Sequence, residues 1–268
     1  MREELFELEM LGDLFERRYR KMRPEVETMP WGTLDTTGIP QQAIVLARKA
    51  WTGAAFQEHR TGVAVCATLR ALMEARAPLD LLGLAARFPL DEIVHVELCA
   101  RMAMELGGGT EIVHDPDAMI VDADDALAPL LRAADLVVRF FCVGEALSIP
   151  LLRGTWKAAR HPLPRAILAR IVRDEAAHGT FGFTFLDWAL PNLSKSDVEF
   201  LGSRVDLTIQ AVHRQWASIK KNRKGTWDNA AGDALVWMQS DPYLELAKKS
   251  LESRVRAPLR ARGIPITV

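Results

Sequence analysis

Residues 173–179 read R-D-E-A-A-H-G, and residues 90–97 read L-D-E-I-V-H-V-E. Asp-Glu-x-x-His thus occurs twice, as Asp91-Glu92-x-x-His95 and Asp174-Glu175-x-x-His178, each time within an apolar run of helical spacing. Positions i and i+3 of a helix share one face about a turn apart, so each Glu and His projects the same way. Ionisable groups on the buried face of a helix require compensation, because an unpaired charge in a low-dielectric core is very unfavourable.

Around these motifs the chain is rich in Ala, Leu, Arg and Glu and nearly devoid of β-branched alternation, which predicts an all-α protein. Residues 1–21 read as an amphipathic helix with Leu5, Leu8, Leu11 and Phe15 on one stripe, and 22–40, with three prolines, as an extended lead-in. A helix is expected from Gln41 to about Arg76. A second runs from the Pro78–Asp80 turn to Leu106, kinked at Pro89 and stopped by Gly107–Gly109. A long connection, 107–123, leads to a third helix over 124–160, opened at Pro150, and a fourth over 164–190 begins at Pro164. Ser194 and Asp197 have capping-box spacing before a fifth helix ending near Lys221, and one or two short helices follow within 226–268.

Short turn, long connection and short turn describe two antiparallel hairpins joined by one crossover. That is the ferritin-like form of a four-helix bundle. The organisation expected is an N-terminal helical arm at 1–40, the bundle at 41–190 and additional helices at 191–268.

If the two motifs supply ligands, the first helix of each hairpin should carry a facing carboxylate at matching height. Glu58 and Glu145 meet that condition: both lie in apolar stripes, 34 residues before Glu92 and 30 before Glu175. In the second hairpin the heights differ by only about 6 Å at the helical rise. Four carboxylates and two imidazoles then balance two divalent cations, and an oxygen-rich set with one imidazole per ion suits iron or manganese. Asp91 and Asp174 are placed to accept from the imidazole of the opposite hairpin, Asp91 from His178 and Asp174 from His95. His59, Glu97, His114, His161 and His213 fall outside this set.

With 34 basic and 35 acidic residues the chain carries no field that favours nucleic acid, and no apolar stretch suits a membrane span. The basic run from Lys248 to Arg262 reads as a solvated face. The start, M-R-E-E-L-F-E-L-E-M, lacks the pattern of an export signal, and Cys66, Cys99 and Cys142 sit in apolar runs as buried thiols. A cytoplasmic location is expected.

The six residues resemble the ligand pattern Glu, Glu-x-x-His, Glu, Glu-x-x-His of the ferritin-like di-iron carboxylate superfamily, over roughly 41–190. The resemblance implies a non-haem di-iron oxygenase or oxidase that activates O2, with Glu58 and His95 on one iron, Glu145 and His178 on the other, and Glu92 and Glu175 bridging. Two irons are implied, with a manganese–iron pair as the variant. It also implies an external electron donor, a ferredoxin or small reductase. The alternative it offers is a ferroxidase or iron-handling protein without organic substrate. Reductase small subunits carry a tyrosine where this chain has Cys99, and arylamine N-oxygenases an additional His where it has Ile171. Storage ferritins and rubrerythrins are usually shorter. Apolar residues near the motifs, with Phe141, Cys142, Ser148 and Phe181 as pocket candidates, suit a small hydrophobic or carrier-bound substrate, turned over by a monomer or homodimer.

Overall fold

The computed structural model describes residues 3–121, 123–223, 235 and 240–268, and these are overwhelmingly helical. Glu4–Leu5 forms a short strand, β1. It is followed by α1 (Asp13–Met22), α2 (Pro24–Glu27), α3 (Gln41–Glu74), α4 (Leu79–Ala85), α5 (Phe88–Glu105) and β2 (Val113–His114). Then come α6 (Pro129–Val137), a π-helical segment (Val138–Glu145), α7 (Ala146–Ala158), α8 (Pro162–Ala189) and α9 (Lys195–Arg223). After the next described stretch begins, α10 (Ser240–Ser250), a second π-helical turn (Leu251–Arg256) and α11 (Ala257–Ala261) complete the order.

Helices α3 and α5 pack side by side, as do α7 and α8; the pairs meet where α5 contacts α8, and α6, which continues through the π segment into α7, packs on α3. The first pair is antiparallel, since Thr52 Oγ1 accepts from the Thr110 N–H beyond the end of α5 while Gly62 faces Glu92 near its start. The second is antiparallel too: Gly182 faces Cys142 at one end, and Arg165 donates to the carbonyl of Trp156 at the other. Gly182 is required there. A Cβ on it would lie 2.7 Å from Cys142 Sγ and 2.8 Å from Phe141 Cβ, so only glycine lets α8 approach the π segment so closely.

The core divides into two apolar clusters. One gathers Trp51, Leu98, Met102, Leu163 and Ile167, the other Leu72, Phe88, Phe141, Phe181 and Phe185. Each such side chain, when fully buried, contributes roughly 1.5–3 kcal/mol. On α3, α5 and α8 the two clusters lie on either side of the turns that carry Glu58, Glu92, His95, Glu175 and His178, so the polar layer sits between two apolar ones.

Several local expectations change. The N-terminal helix starts at Asp13 because Gly12 takes φ 79°, and upstream Phe6 N–H donates to Ile112 O at 2.8 Å, extending the β1–β2 pairing. The apolar stripe faces solvent, with Leu11 82% and Phe15 64% exposed. The second helix is not kinked at Pro89 but split at Ala86–Arg87, which places Pro89 in the first turn of α5, where a missing N–H removes no helical bond. The third starts at Pro129 for the same reason, and α7 runs on through Pro150. Its widening lies one turn earlier, where Ala146 N–H reaches back to Phe141 O. The capping box is present, with Asp197 N–H donating to Ser194 Oγ at 3.2 Å and Ser194 N–H to Asp197 Oδ2 at 2.9 Å. Cys66 is exposed whereas Cys99 and Cys142 are buried. Among the described residues no helix is long and apolar enough to cross a membrane.

Candidate metal centre

Each ligand candidate is delivered by a helical segment that also contributes side chains to the apolar core. α3 carries Glu58, α5 carries Glu92 and His95, the π segment ends on Glu145, and α8 carries Glu175 and His178. Their donor atoms form two groups, Glu58, Glu92, His95 and Glu175 in one and Glu92, Glu145, Glu175 and His178 in the other, each within 4.8 Å overall. Glu92 and Glu175 belong to both. His95 Nδ1 lies 3.7 Å from Glu58, 3.8 Å from Glu92 and 3.3 Å from Glu175, and His178 Nδ1 lies 3.1 Å from both Glu92 and Glu175. Widening the helix at 138–145 changes the phase of the residues that follow, and π turns of this kind recur at functional sites.

The far nitrogen of each imidazole faces an aspartate from the other hairpin. His95 Nε2 is 3.3 Å from Asp174 Oδ2, and His178 Nε2 is 3.5 Å from Asp91 Oδ2. Arg87, at the break before α5, contacts both aspartates, at 3.1 Å from Asp91 and 3.7 Å from Asp174. Arg170 also pairs with Asp174 and, at 2.8 Å, with Glu25. A carboxylate behind an imidazole fixes its tautomer and turns the nearer nitrogen, here Nδ1 in both cases, toward the carboxylate cluster.

The group is almost wholly excluded from solvent, with Glu92, His95 and His178 fully buried and Glu175 at 2% exposure. Burial pushes Glu58 up to about 7 and Glu145 well above the usual carboxylate range. Burial also disfavours charge on the imidazoles, but contacts to the surrounding carboxylates outweigh it and hold His178 up to about 12 and His95 well above its ordinary value. Desolvation acts on Glu175 as well, yet its contacts with His178 and His95 hold it below the usual range.

These residues fit a pair of divalent cations. Both oxygens of Glu92, Glu175 Oε2 and the Nδ1 atoms of His95 and His178 are buried without a hydrogen bond of good geometry, although they lie within ion-pair distance of one another. Unsatisfied acceptors converging from α5 and α8, flanked by Glu58 and Glu145, are what a cation would satisfy. The donor set, four carboxylates and two imidazoles with no thiolate, matches iron or manganese in hardness.

Glu58, Glu145 and Glu175 also line a cavity of about 550 Å³. Its walls are mostly apolar and come from Ala64, Leu147, Leu151 and Leu152 of the bundle, Met119–Val121 of the crossover, Val212 and Trp216 of α9, and Tyr243 of α10. Exposed Gln57, Arg60 and Gln215 also line it. Of the pocket candidates only Ser148 reaches this space, with Oγ 3.4 Å from Glu145 Oε2. Phe141, Cys142 and Phe181 pack into an apolar cluster instead: the π segment turns Phe141 toward Phe88 and Cys142 toward Gly182, and Phe181 of α8 stacks edge-on against Phe88. The walls from α9 and α10 escaped the sequence reading, and only the apolar residues of those helices hinted at them.

The remaining candidates have local partners. Glu97 pairs with fully buried Arg23 at 2.6 Å, and His59 and His114 pack against Phe6. His161 caps α8 by accepting from Leu163 N–H at 3.1 Å, and His213 packs on Trp216. Comparison with known proteins finds no family model that matches the chain and no curated protein that matches it.

Proposed function

We propose that this chain is a ferritin-like di-iron protein that activates O2 and oxidises a small, predominantly apolar substrate. The observation that carries the reading is the pair of donor groups sharing Glu92 and Glu175 and opening on an apolar cavity through Glu58, Glu145 and Glu175. The hairpin, crossover and hairpin arrangement around them supports the ferritin-like assignment.

In this reading Glu58 and His95 would hold one ion and Glu145 and His178 the other, with Glu92 and Glu175, which belong to both donor groups, shared between them. The bound pair supplies dioxygen reduction, with electrons from an external donor such as a ferredoxin or small reductase. Asp91 and Asp174 keep the two imidazoles in the ligating tautomer. The four carboxylates neutralise two divalent charges, which lets the centre stay in an apolar layer. Leu147, Leu151, Leu152 and Trp216 offer apolar surface that would position an apolar substrate beside the carboxylates, and Ser148 Oγ donates to Glu145 Oε2 at 3.4 Å. The cavity volume favours an organic substrate over iron oxidation alone, since many small-molecule sites have volumes of about 300–1,000 Å³.

The test is O2 uptake by anaerobically Fe(II)-loaded protein in the presence of reductant and a panel of apolar compounds, with isotopically labelled O2 to trace oxygen into product. Substrate-dependent turnover, with or without label transfer, supports an oxygenase or oxidase. Uptake indifferent to every compound, with ferric iron as the sole product, would leave iron handling as the function.

A further inference from the structure

The basic run near the C-terminus, Lys248 to Arg262, has no part in the centre described above, yet it lines a cleft of its own. This second cleft has a volume of about 220 Å³ and shares no lining residue with the large cavity. It lies on a different face of α7, where Ile149 and Pro150, together with Phe183 of α8, provide apolar surface. Gly179 lets Ile149 lie directly against α8 in its wall, since a Cβ there would collide with the Ile149 side chain.

Charge at this cleft is one-sided. Arg153 from α7 and Arg254 from the second π turn both line it, together with Ser253 and Thr180, and no Asp or Glu does. Among the described residues neither arginine has a hydrogen-bond or ion-pair partner, and the nearby acid in sequence, Glu252, is engaged by Arg256 at 3.6 Å and Arg260 at 3.1 Å. The π turn at Leu251–Arg256 is the second among the described residues, and like the first it brings residues to the wall of a concave site. Such turns sacrifice regular helical bonding and are frequent where a helix serves a ligand.

We infer that this cleft binds a small organic carboxylate, with its apolar part on Ile149, Pro150 and Phe183 and its carboxylate held by Arg153 and Arg254. Two guanidinium groups beside an apolar surface match that chemistry, because arginine pairs with carboxylates through a planar fork. The volume accommodates a single ring or a short chain. The site adjoins the candidate metal centre, as Ala146 follows Glu145 and Gly179 follows His178 in sequence, and Glu145 O lies 3.9 Å from the Cβ position of Gly179. The inference itself does not depend on metal binding.

The experiment is a fluorine NMR titration of the full chain, free of added metal, with 4-(trifluoromethyl)benzoate as the probe and 4-(trifluoromethyl)benzyl alcohol as its uncharged counterpart. One saturable site per chain is expected for the carboxylate. Binding should weaken about tenfold or more in the Arg153→Ala/Arg254→Ala variant and for the alcohol, the size of a lost charge-assisted hydrogen bond. Both arginines are exposed and carry no hydrogen bond or ion pair among the described residues, so the thermal unfolding of the variant should match the parent. Undiminished binding in the double variant, or no saturation up to roughly 10 mM, would overturn the inference. So would arginine-dependent binding of polyglutamate that the benzoate does not displace, which would make the surface a docking face for an acidic protein.

Discussion

Replacing Glu92 by alanine separates a shared-ligand centre from a merely acidic core. Glu92 is fully buried and belongs to both donor groups, whereas Glu58 belongs to one. An ion present at a hundred times its dissociation constant stabilises the folded state by about 2.7 kcal/mol, so two ions contribute about 5 kcal/mol. For a chain of this size each kcal/mol shifts Tm by about 2–4 °C, which gives a metal-induced rise of about 10–20 °C in the parent. Glu92→Ala removes a ligand from both ions and should abolish most of that rise. Glu58→Ala should retain about half of it, because the group containing Glu145 and His178 stays intact. The assay is thermal unfolding under anaerobic conditions with and without Fe(II) or Mn(II). Taking the difference for each variant cancels the effect of the substitution on the metal-free fold. A parent that gains less than about 2 °C, or a Glu92→Ala variant that keeps the full gain, would refute the shared role of Glu92.

Asp174→Asn replaces the carboxylate 3.3 Å from His95 Nε2 and should weaken metal binding about 10- to 100-fold while leaving two ions per chain at saturation, as read by titration. Gly182→Ala should destabilise the protein by about 1–3 kcal/mol in chemical denaturation, because its Cβ would press on Cys142 and Phe141 in the π segment. Metal affinity should rise with pH: the metal-free centre holds protons on His95, His178 and Glu145, and Glu58 titrates near 7, so cations must displace them. Each proton displaced makes the apparent affinity about tenfold higher per pH unit, and an affinity constant between pH 6 and 8 would contradict the protonation pattern.

The ligand candidates were legible because a helix imposes its period on sequence. Glu92 with His95, and Glu175 with His178, share a face by spacing alone, and Glu58 and Glu145 stand out as acids within apolar stripes. The cross-hairpin proximity of Asp174 to His95 and of Asp91 to His178 follows from the same geometry. What the pattern hides is local or distant. A π turn has no residue signature, so Phe141 and Cys142 read as pocket-facing when the extra backbone residue turns them into the core. The pairing of Glu4 with His114 spans the first hairpin, and it competes successfully with a helix that Gly12 already interrupts. Tyr243 and Trp216 reach the cavity from helices whose docking onto α7 and the π segment is not encoded in their own periodicity.

The shared position of Glu92 and Glu175 makes a pair, rather than two separate ions, the central claim. It is tested most directly by loading the full chain with Mn(II) under anaerobic conditions, counting bound ions and recording the electron paramagnetic resonance spectrum. Two ions per chain with the spectrum of a magnetically coupled pair are expected. A single ion, or two ions whose spectra simply add, would contradict it.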